Sequence, residues 1–390
     1  MSKLLSDAEV TARVFAHVDS KTTDRGTETW REPVENYTSQ ERFDAEIKLM
    51  RRLPIPFCPS AALPEEGSYI TRTTALTPLL AVRGKDRKVR VFRNACKHRG
   101  MAVAAGEGCA KAFVCPYHAW SYALDGSLKH IPGEDGFPGL DKSEHGLAEV
   151  KAEERGGIVF VTQDEPLAGG DDLGGLAQGA LSDMPITLAD DQIVFDRIEM
   201  TDAANWKLIG ETSMEGYHIK ALHTKSFYPY GYDNLNVVEL FGANSRIVFP
   251  FRRLEKLRDK PQEDWKIQGR VTDVQQIFPN THISVLSSHS LFIVLEPVSP
   301  GETRWEIFRL SNTGASPEEN MEEAKKDASF VVETGLGEDR EAARSIHANI
   351  AAGANTHFTF GQFESAIVHF HKTMSKLLPL VNSTELNPSA

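Results

Sequence analysis

The chain has 390 residues, which exceeds the usual size of one domain and predicts two. Its 43 basic and 55 acidic residues give a formal net charge of −12, which argues against a nucleic-acid-binding protein. The N-terminus lacks the apolar core of a signal peptide, and no later run approaches the roughly 20 apolar residues of a membrane helix. We therefore expect a cytoplasmic protein that binds neither nucleic acid nor membrane.

The N-terminal part, residues 1–53, mixes helix-forming residues with charge. Residues 39–52 predict a capped amphipathic helix that ends before Pro54. We expect this segment to pack on the last domain of the chain. Residues 54–165 change to short alternating or apolar runs separated by glycine, proline and aspartate, which predicts an all-β domain. The runs cover residues 69–73, 79–83, 89–93, 112–114 and 157–161.

The last predicted domain covers residues 166–390. A linker rich in glycine and aspartate within residues 163–191 leads into it. Strand-like and helix-like runs then predict an antiparallel sheet covered by helices, so the fold class is α+β. We predict strands over residues 193–200, 246–249, 281–286, 291–296 and 303–310, helices around 205–223, 317–334, 338–352 and 363–378, and a disordered tail over 382–390.

Two Cys-His pairs lie between strands of the predicted all-β domain. They read Cys96-Lys-His98 and, after sixteen intervening residues, Cys115-Pro-Tyr-His118. Each pair puts a thiolate and an imidazole on one short loop, which suits an iron–sulfur cluster whose two irons take different ligands. The pattern is that of a Rieske [2Fe–2S] centre, in which the two cysteines hold one iron and the two histidines the other.

The alternative interpretation of these loops is a structural zinc site. Zinc modules usually pair Cys with Cys and His with His, whereas each loop here carries one of each. The remaining cysteines, Cys58 and Cys109, have no such pattern, and we interpret them as free thiols. A secreted disulfide framework is therefore not expected.

A second group of possible metal ligands follows the linker. Glu215 and His218 are three residues apart and share a helix face, but His218 and His223 differ by about 140° around an ideal helix. Convergence of the two imidazoles therefore requires the helix to bulge or end between them. Two imidazoles and one carboxylate form the facial triad of non-haem Fe(II) oxygenases, which leaves open positions for O₂ and substrate.

The stretches from Asn94 to Trp120 and from Asn205 to His223 resemble the large subunits of Rieske ring-hydroxylating oxygenases, over roughly residues 40–378. The resemblance implies a helix-grip catalytic domain in which His218 and His223 bind iron. It also implies that Glu215 bridges to a Rieske histidine of the neighbouring subunit in a homotrimer. Aspartate is commoner at the bridging position, and glutamate resembles the branch that oxidises carnitine and related quaternary amines.

The carboxylate ligand is expected further along the chain. The stretch Gly335-Leu-Gly-Glu338-Asp339 resembles the family segment in which the aspartate binds iron, so Asp339 is the expected third ligand and Glu338 the reserve. The alternative is a helix N-terminus enriched in acidic residues that complement the helix dipole.

Other residues near the predicted site have less specific patterns. Glu211 is expected to solvate its helix rather than to hydrogen-bond near the metal. His282 and His289 fit a substrate pocket or ordinary structural roles equally well, and His369 and His371 are expected to pack. The aromatic and arginine candidates for substrate contact are Phe227, Tyr228, Tyr230, Tyr232, Phe241, Phe278, Phe358, Phe360, Arg246, Arg252 and Arg253.

The resemblance implies a terminal oxygenase that receives electrons from a ferredoxin or an NAD(P)H-dependent reductase. Its expected cofactors are a Rieske [2Fe–2S] cluster and a mononuclear Fe(II), with O₂ as co-substrate and a β subunit as an optional partner. The first expected reaction is hydroxylation or dihydroxylation of an aromatic ring or aromatic acid. Two alternatives stay open: demethylation or C–N cleavage of an alkyl or quaternary amine, and a non-enzymatic Rieske electron carrier.

Overall fold

The structure is a computed structural model that describes residues 4–167, 188–189, 191–311, 321–326, 328 and 337–383. Of these residues, 51–165, 188–189 and 191–193 form one compact unit, and 4–50, 166–167 and those from 194 onward form the other. Most of the predicted linker and nearly all of the predicted tail lie outside the described residues. The predicted helix over 317–334 is described only in part. Its longest uninterrupted described stretch, residues 321–326, is helical.

The N-terminal segment contains helix α1 (Asp7–Ser20), strand β1 (Trp30–Pro33) and helix α2 (Gln40–Arg52). A capping box between Ser6 and Glu9 starts α1, because each side chain accepts the backbone N–H of the other residue. The apolar face of α1 packs in one cluster with Val237 and Val248, which lie on the sheet of the same compact unit. The Ser39 hydroxyl accepts a hydrogen bond from the backbone N–H of Arg42 at 3.2 Å and so caps α2, as its sequence predicts.

The unit formed by residues 51–165 is built from strands, as predicted. They are β2 (Ile55–Pro59), β3 (Ser68–Thr74), β4 (Thr77–Arg83), β5 (Val89–Arg93), β6 (Glu107–Cys109), β7 (Phe113–Val114), β8 (Ser121–Tyr122), β9 (Leu128–His130), β10 (Glu149–Arg155) and β11 (Ile158–Thr162). One sheet has the order β2-β11-β10-β5-β4-β3-β6, and a small sheet has the order β7-β8-β9. Gly126 turns β8 into β9 with φ +80°, where a Cβ atom would lie 2.4 Å from the Phe92 ring.

The other unit is centred on a seven-stranded antiparallel sheet. Its strands are β12 (Val194–Asp202), β13 (Val237–Phe241), β14 (Asn244–Pro250), β15 (Val271–Ile277), β16 (Thr281–Val285), β17 (His289–Ser299) and β18 (Glu302–Ser311). Their order is β12-β18-β17-β16-β15-β14-β13. The helices are α3 (Trp206–Thr212), α4 (Ile219–Leu222), α5 (Gly337–Ile350) and α6 (Ser365–Ser383), and strand β19 (His357–Phe360) pairs with β1. The α+β class predicted from the sequence is confirmed.

A buried ion pair connects α2 to α3. The Lys207 ammonium donates to both carboxylate oxygens of Glu46, at 2.8 and 2.9 Å, and each residue is 1% exposed. Trp206 Nε1 and Arg42 Nε also donate to this carboxylate, at 3.0 and 2.9 Å. Burial lowers the pKa of Lys207, although Glu46 opposes that shift. The N-terminal segment is therefore held to α3 by a charge network that is excluded from water.

No described helix combines the length and the apolar character that a membrane crossing requires.

Candidate metal centres

The two Cys-His pairs lie on loops that follow strands β5 and β7. Cys96 and Cys115 are 3% and 2% exposed, whereas His98 is half-buried and His118 is exposed. The Cys115 backbone N–H donates to the Trp120 carbonyl at 2.9 Å, and the Cys96 backbone N–H donates to the Met101 carbonyl at 2.8 Å, so each loop closes on itself. The thiols point into the unit, and the imidazoles lie nearer to solvent.

Aromatic side chains fix both loops. The Tyr122 hydroxyl lies 3.2 Å from Cys96 Sγ and accepts the Lys97 backbone N–H at 3.0 Å. Burial and the neighbouring Cys96 raise the pKa of Tyr122, so its phenol stays protonated and can donate to the sulfur. The His98 ring stacks on Trp120 at 4.9 Å and lies 4.6 Å from the His118 ring.

The surroundings of His98 suit a metal ligand. Its Nδ1 is buried and has no hydrogen-bond partner among the described residues. Desolvation, His118 and Arg99 lower the pKa of His98, which favours the neutral imidazole that a metal requires. A buried nitrogen without a partner, beside two buried thiols, fits a mixed cysteine and histidine cluster.

His218 and His223 flank α4, the shortest described α-helix of the unit that contains the seven-stranded antiparallel sheet. His218 directly precedes α4 and His223 directly follows it, and the N–H groups of Leu222 and His223 donate to the carbonyls of His218 and Ile219. The bulge or helix end expected between the two histidines is therefore not found. The ring centroids of the two histidines are 5.0 Å apart. The two side chains converge at this short helical turn although an ideal helix would set them about 140° apart.

Asp339, in the first turn of α5, completes this group. Its Oδ1 lies 3.0 Å from His223 Nε2 and 3.5 Å from His218 Nε2. One ligand atom from each residue lies within 4.8 Å of the other two, an arrangement that can hold a metal ion. Two imidazoles and one carboxylate are the donor set of a mononuclear non-haem iron site.

The other ring nitrogen of each histidine is bound by a glutamate. Glu215 contacts Nδ1 of His218, and Glu338 Oε2 lies 2.7 Å from Nδ1 of His223. Both Nε2 atoms are thereby directed to Asp339, which is how outer carboxylates orient metal-binding histidines. Glu338, the reserve ligand, therefore lies on the far side of the His223 ring, where Ser226 also donates to it at 2.5 Å.

Long-range ion pairs place α5. Arg340 donates to both oxygens of Asp202 at 2.7 and 2.8 Å, and Arg344 adds a bond of 3.2 Å. Asp202 ends β12, so the first turn of α5 is fixed against the sheet. Burial lowers the pKa of His223, but the hydrogen bonds of Asp339 and Glu338 outweigh it and raise the pKa overall. The negative charge that favours a proton there also favours a bound cation.

A cavity of about 180 Å³ opens beside the triad. Its wall is mostly apolar and includes the rings of Phe227, Phe249, Phe251, Tyr232 and Trp305. No lysine or arginine lines it in the part of the chain that the structure describes. Of the aromatic residues chosen from the sequence, only Phe227 and Tyr232 line the cavity. The sequence pattern did not distinguish Phe249, Phe251 and Trp305 from ordinary core residues.

The arginines expected near a substrate carboxylate lie elsewhere. Arg246 is buried and paired with Asp273 at 2.7 Å and with Glu239 at 3.0 Å. Arg252 packs over the ring of Tyr232 at 5.3 Å, outside the cavity lining. His282 lines the cavity, whereas the buried His289 does not.

The expectation that Glu211 solvates its helix is wrong. Glu211 is buried, and its Oε1 accepts from the Tyr37 hydroxyl and contacts His371 Nε2, both at 2.8 Å. His371 is fully buried in α6, and its Nδ1 lies 3.4 Å from Glu32. His371 therefore joins a polar network rather than only packing, because helix α6 and the N-terminal segment meet α3 here.

Glu364 makes the stability of the folded chain depend on pH. Burial, with help from Glu215 and Glu211, raises its pKa from 4.5 to about 7. The folded state then binds a proton that the unfolded state has lost, so stability falls as pH rises from 4.5 through about 7. We expect Glu364→Gln to have the same free energy of unfolding as the native chain near pH 4.5. At pH 8 the variant should be more stable by about 1–2 kcal/mol, a value reduced because Glu364 is partly exposed. Urea denaturation at both pH values measures this.

The control for that variant is Glu41→Gln, which changes an exposed carboxyl in α2. Its stability difference from the native chain is expected to be the same at both pH values. A Glu364→Gln difference that does not grow between pH 4.5 and pH 8 would contradict the assignment.

Comparison with known proteins assigns both units to families. Residues 54–144 match the Rieske [2Fe-2S] domain, and residues 190–379 match the catalytic domain of the ring hydroxylating alpha subunit. The carnitine monooxygenase oxygenase subunit of Escherichia coli (strain K12) is 34% identical over 199 residues, which cover 50% of this chain and 53% of that subunit. The chain thus spans about half the length of this relative.

Two further likenesses extend over more of the chain. The 2-aminobenzenesulfonate 2,3-dioxygenase subunit alpha of Alcaligenes sp. is 28% identical over 349 residues, covering 83% of this chain and 85% of that one. The crystal structure of the quaternary ammonium Rieske monooxygenase CntA with an inhibitor has a TM-score of 0.73 at 23% identity, covering 96% of this chain and 99% of that one. The likeness in structure concerns the fold.

Proposed function

Because the chain belongs to the Rieske-type oxygenase family and carries both of its domains, we propose that it is a terminal oxygenase component acting on a small organic molecule. The observation that carries the proposal is the convergence of His218 Nε2, His223 Nε2 and Asp339 Oδ1 beside a cavity. When bound, a Rieske cluster supplies single-electron transfer and a mononuclear iron supplies O₂ activation.

The residues of the first centre have separate roles in this proposal. Cys96 and Cys115 would hold the buried iron of the cluster, and His98 and His118 the iron nearer to solvent. The exposed His118 makes that side the one through which electrons enter or leave. We propose a ferredoxin or an NAD(P)H-dependent reductase as the donor. The alternative of a structural zinc site has no support from the Rieske match.

Glu215 is proposed as the bridge between two subunits of a homotrimer. It is 9% exposed, contacts His218 Nδ1 and accepts the His218 backbone N–H at 3.2 Å. These contacts fix the ring of an iron ligand. Because Oε2 already accepts the backbone N–H groups of Tyr217 and His218, the remaining lone pair of Oε1 would accept from a Rieske histidine of the neighbouring chain. Electrons would then cross from one protomer to the next through one carboxylate. A β subunit is not required by this arrangement.

Glu215→Ala is expected to keep both metal centres at saturating iron but to slow turnover on the order of 10- to 100-fold, because His218 loses the carboxylate that orients it. The measurement is the rate at which the pre-reduced Rieske centre reoxidises when substrate and O₂ are added. Glu215→Asp, which keeps the charge, is expected to retain part of the rate. Full activity in Glu215→Ala would remove Glu215 from the electron path.

For the substrate, we propose an alkyl or quaternary amine in first place. Relatives named carnitine monooxygenase and glycine betaine monooxygenase oxygenase subunits support it, the latter from Pseudomonas aeruginosa (strain PAO1) at 32% identity over 162 residues. The aromatic rings of the cavity wall suit an alkylammonium group through cation–π contacts. The aromatic substrate expected from the sequence is the second candidate, supported by the apolar wall and by the aminobenzenesulfonate dioxygenase.

The two candidates differ in their products. In the first, substrate, O₂, two electrons and two protons give water and a substrate hydroxylated beside nitrogen, whose C–N bond then breaks to give an amine and an aldehyde. In the second, substrate, O₂, two electrons and two protons give a cis-diol that carries both oxygen atoms of O₂ on the ring. The roles of the residues around iron are the same in both.

Iron counting and product analysis test the proposal. Anaerobically purified protein is expected to hold about three irons per chain, two in the cluster and one at the triad. With a surrogate reductase, quaternary amines are expected to yield an aldehyde. About two irons per chain and no O₂ uptake would instead favour a Rieske electron carrier, and a colourless zinc protein would defeat both.

A further inference from the structure

A histidine interrupts the apolar wall of the cavity beside the metal triad. His282 lies on β16, is 3% exposed, and lines the cavity together with Ile293, Leu295 and Gly210. Its Nδ1 lies 2.9 Å from the Ser213 hydroxyl. A buried polar ring in a mostly apolar wall needs a partner at each nitrogen, and this contact accounts for only one.

The contacts of Ser213 determine the proton position on His282. The Ser213 hydroxyl also lies 2.8 Å from the Gly210 carbonyl oxygen, which can only accept. A hydroxyl has one proton, so it is donated to Gly210, and the Ser213 oxygen must accept from His282 Nδ1–H. Burial lowers the pKa of His282 to about 4, so the ring carries no second proton at neutral pH. Its Nε2 is therefore a hydrogen-bond acceptor.

The acceptor nitrogen stays open at the cavity. Within the described residues, no side chain or backbone group donates to His282 Nε2. A Cβ atom at Gly210 would lie 3.0 Å from Nε2, so glycine at this position leaves the ring edge uncovered. Nε2 borders the cavity space, so a donor on a bound molecule would be its hydrogen-bond partner there.

We propose that His282 Nε2 recognises a hydroxyl or N–H group of the substrate and so determines which molecules bind beside the triad. This inference rests on the proposed function and narrows its substrate class. The bound molecule presents a hydrogen-bond donor to His282 while its apolar part contacts the aliphatic wall. A carboxylate is disfavoured at this point, because it would face the lone pair of Nε2, and no lysine or arginine among the described residues lines the cavity.

Two pairs of probes, each differing by one hydroxyl, test this. They are L-carnitine with γ-butyrobetaine, and benzyl alcohol with toluene, one pair for each candidate substrate class. Titration calorimetry on the anaerobic iron-loaded full chain gives their dissociation constants without turnover. In at least one pair, we expect the hydroxyl-bearing member to bind about tenfold more tightly. Equal affinities within both pairs, or no binding of any probe, would overturn the proposal.

Variants identify the acceptor. His282→Phe keeps an aromatic ring but no acceptor, so the affinity ratio should fall to about one, whereas the amide oxygen of His282→Gln should restore part of it. Ser213→Ala releases Nδ1 and allows the other tautomer, so the ratio should fall there as well. Ser284→Ala removes a different lining hydroxyl from β16 and should keep the native ratio. A tenfold ratio that persists in His282→Phe would assign recognition to another group.

Iron content separates the two proposals. A native chain that holds only the cluster irons would defeat the oxygenase function, whatever the affinity ratio. A chain that holds about three irons but binds both members of each pair equally would defeat only the role of His282.

Discussion

Asp339→Ala is expected to lower the iron content from about three to about two per chain while the visible spectrum of the Rieske centre stays unchanged. The variant removes the only carboxylate oxygen that lies close to Nε2 of both histidines, at 3.0 and 3.5 Å, among the residues that the structure describes. Two imidazoles alone bind a divalent iron weakly, because the hard carboxylate ligand and its charge are lost. Product formation should fall on the order of 100-fold or more, since even outer residues of metal sites contribute 10- to 100-fold.

Two variants of the same helix serve as controls for Asp339→Ala. Glu341→Ala removes an exposed acid of α5 and should keep the full iron content. Glu338→Ala removes the carboxylate on His223 Nδ1 and should weaken iron binding about 10- to 100-fold without abolishing it at saturating iron. Full iron content in Asp339→Ala, with loss in Glu338→Ala, would reverse the assignment of ligand and orienting residue.

Glu46→Ala should destabilise the chain by about 3–5 kcal/mol, because it leaves the Lys207 ammonium buried without its partner. Lys207 is 1% exposed, so water cannot replace the lost carboxylate. Trp206 Nε1 and Arg42 Nε also lose their acceptor. Denaturation by urea, followed by tryptophan fluorescence, measures the change as a shift of the midpoint.

The control for Glu46→Ala is Glu41→Ala, an exposed acid of α2 that should change stability by no more than about 0.5 kcal/mol. The double variant Glu46→Leu with Lys207→Met replaces the pair by apolar side chains of similar size. It should recover most of the lost stability, since such replacements of buried pairs are often neutral. A loss below about 1 kcal/mol in Glu46→Ala would mean that solvent reaches Lys207.

The sequence was sufficient for the fold class and for the family, which the domain matches confirm. Ligand patterns within short loops are local, so Cys96-Lys-His98 and Cys115-Pro-Tyr-His118 can be recognised without a structure. The spacing of His218 and His223 wrongly required a bulge or helix end between them, because α4 fills the interval and ends only at His223. The assignment of these six ligands, of Asp339 and of Glu215 remains a prediction that the metal measurements test.

What the sequence could not provide depends on contacts between distant residues. Glu211 was expected to face water because its neighbours in sequence say nothing about His371, which comes from α6, 160 residues later. The proton position on His282 likewise follows from Ser213, 69 residues away. Phe249, Phe251 and Trp305 looked like core residues because strand periodicity tells which residues share a face but not where that face borders a cavity.

The brevity of α4 links iron occupancy to local order. Isolated helices shorter than about 12 residues are marginal in water, so four residues between two histidines cannot hold their own conformation. The ends of this segment are instead fixed by Glu215, Glu338 and Asp339, three acids whose mutual repulsion a bound cation relieves. Iron binding at this triad would therefore be thermodynamically coupled to the folding of residues 213–227. A bound metal would act here as a structural element of the chain and not only as its reagent.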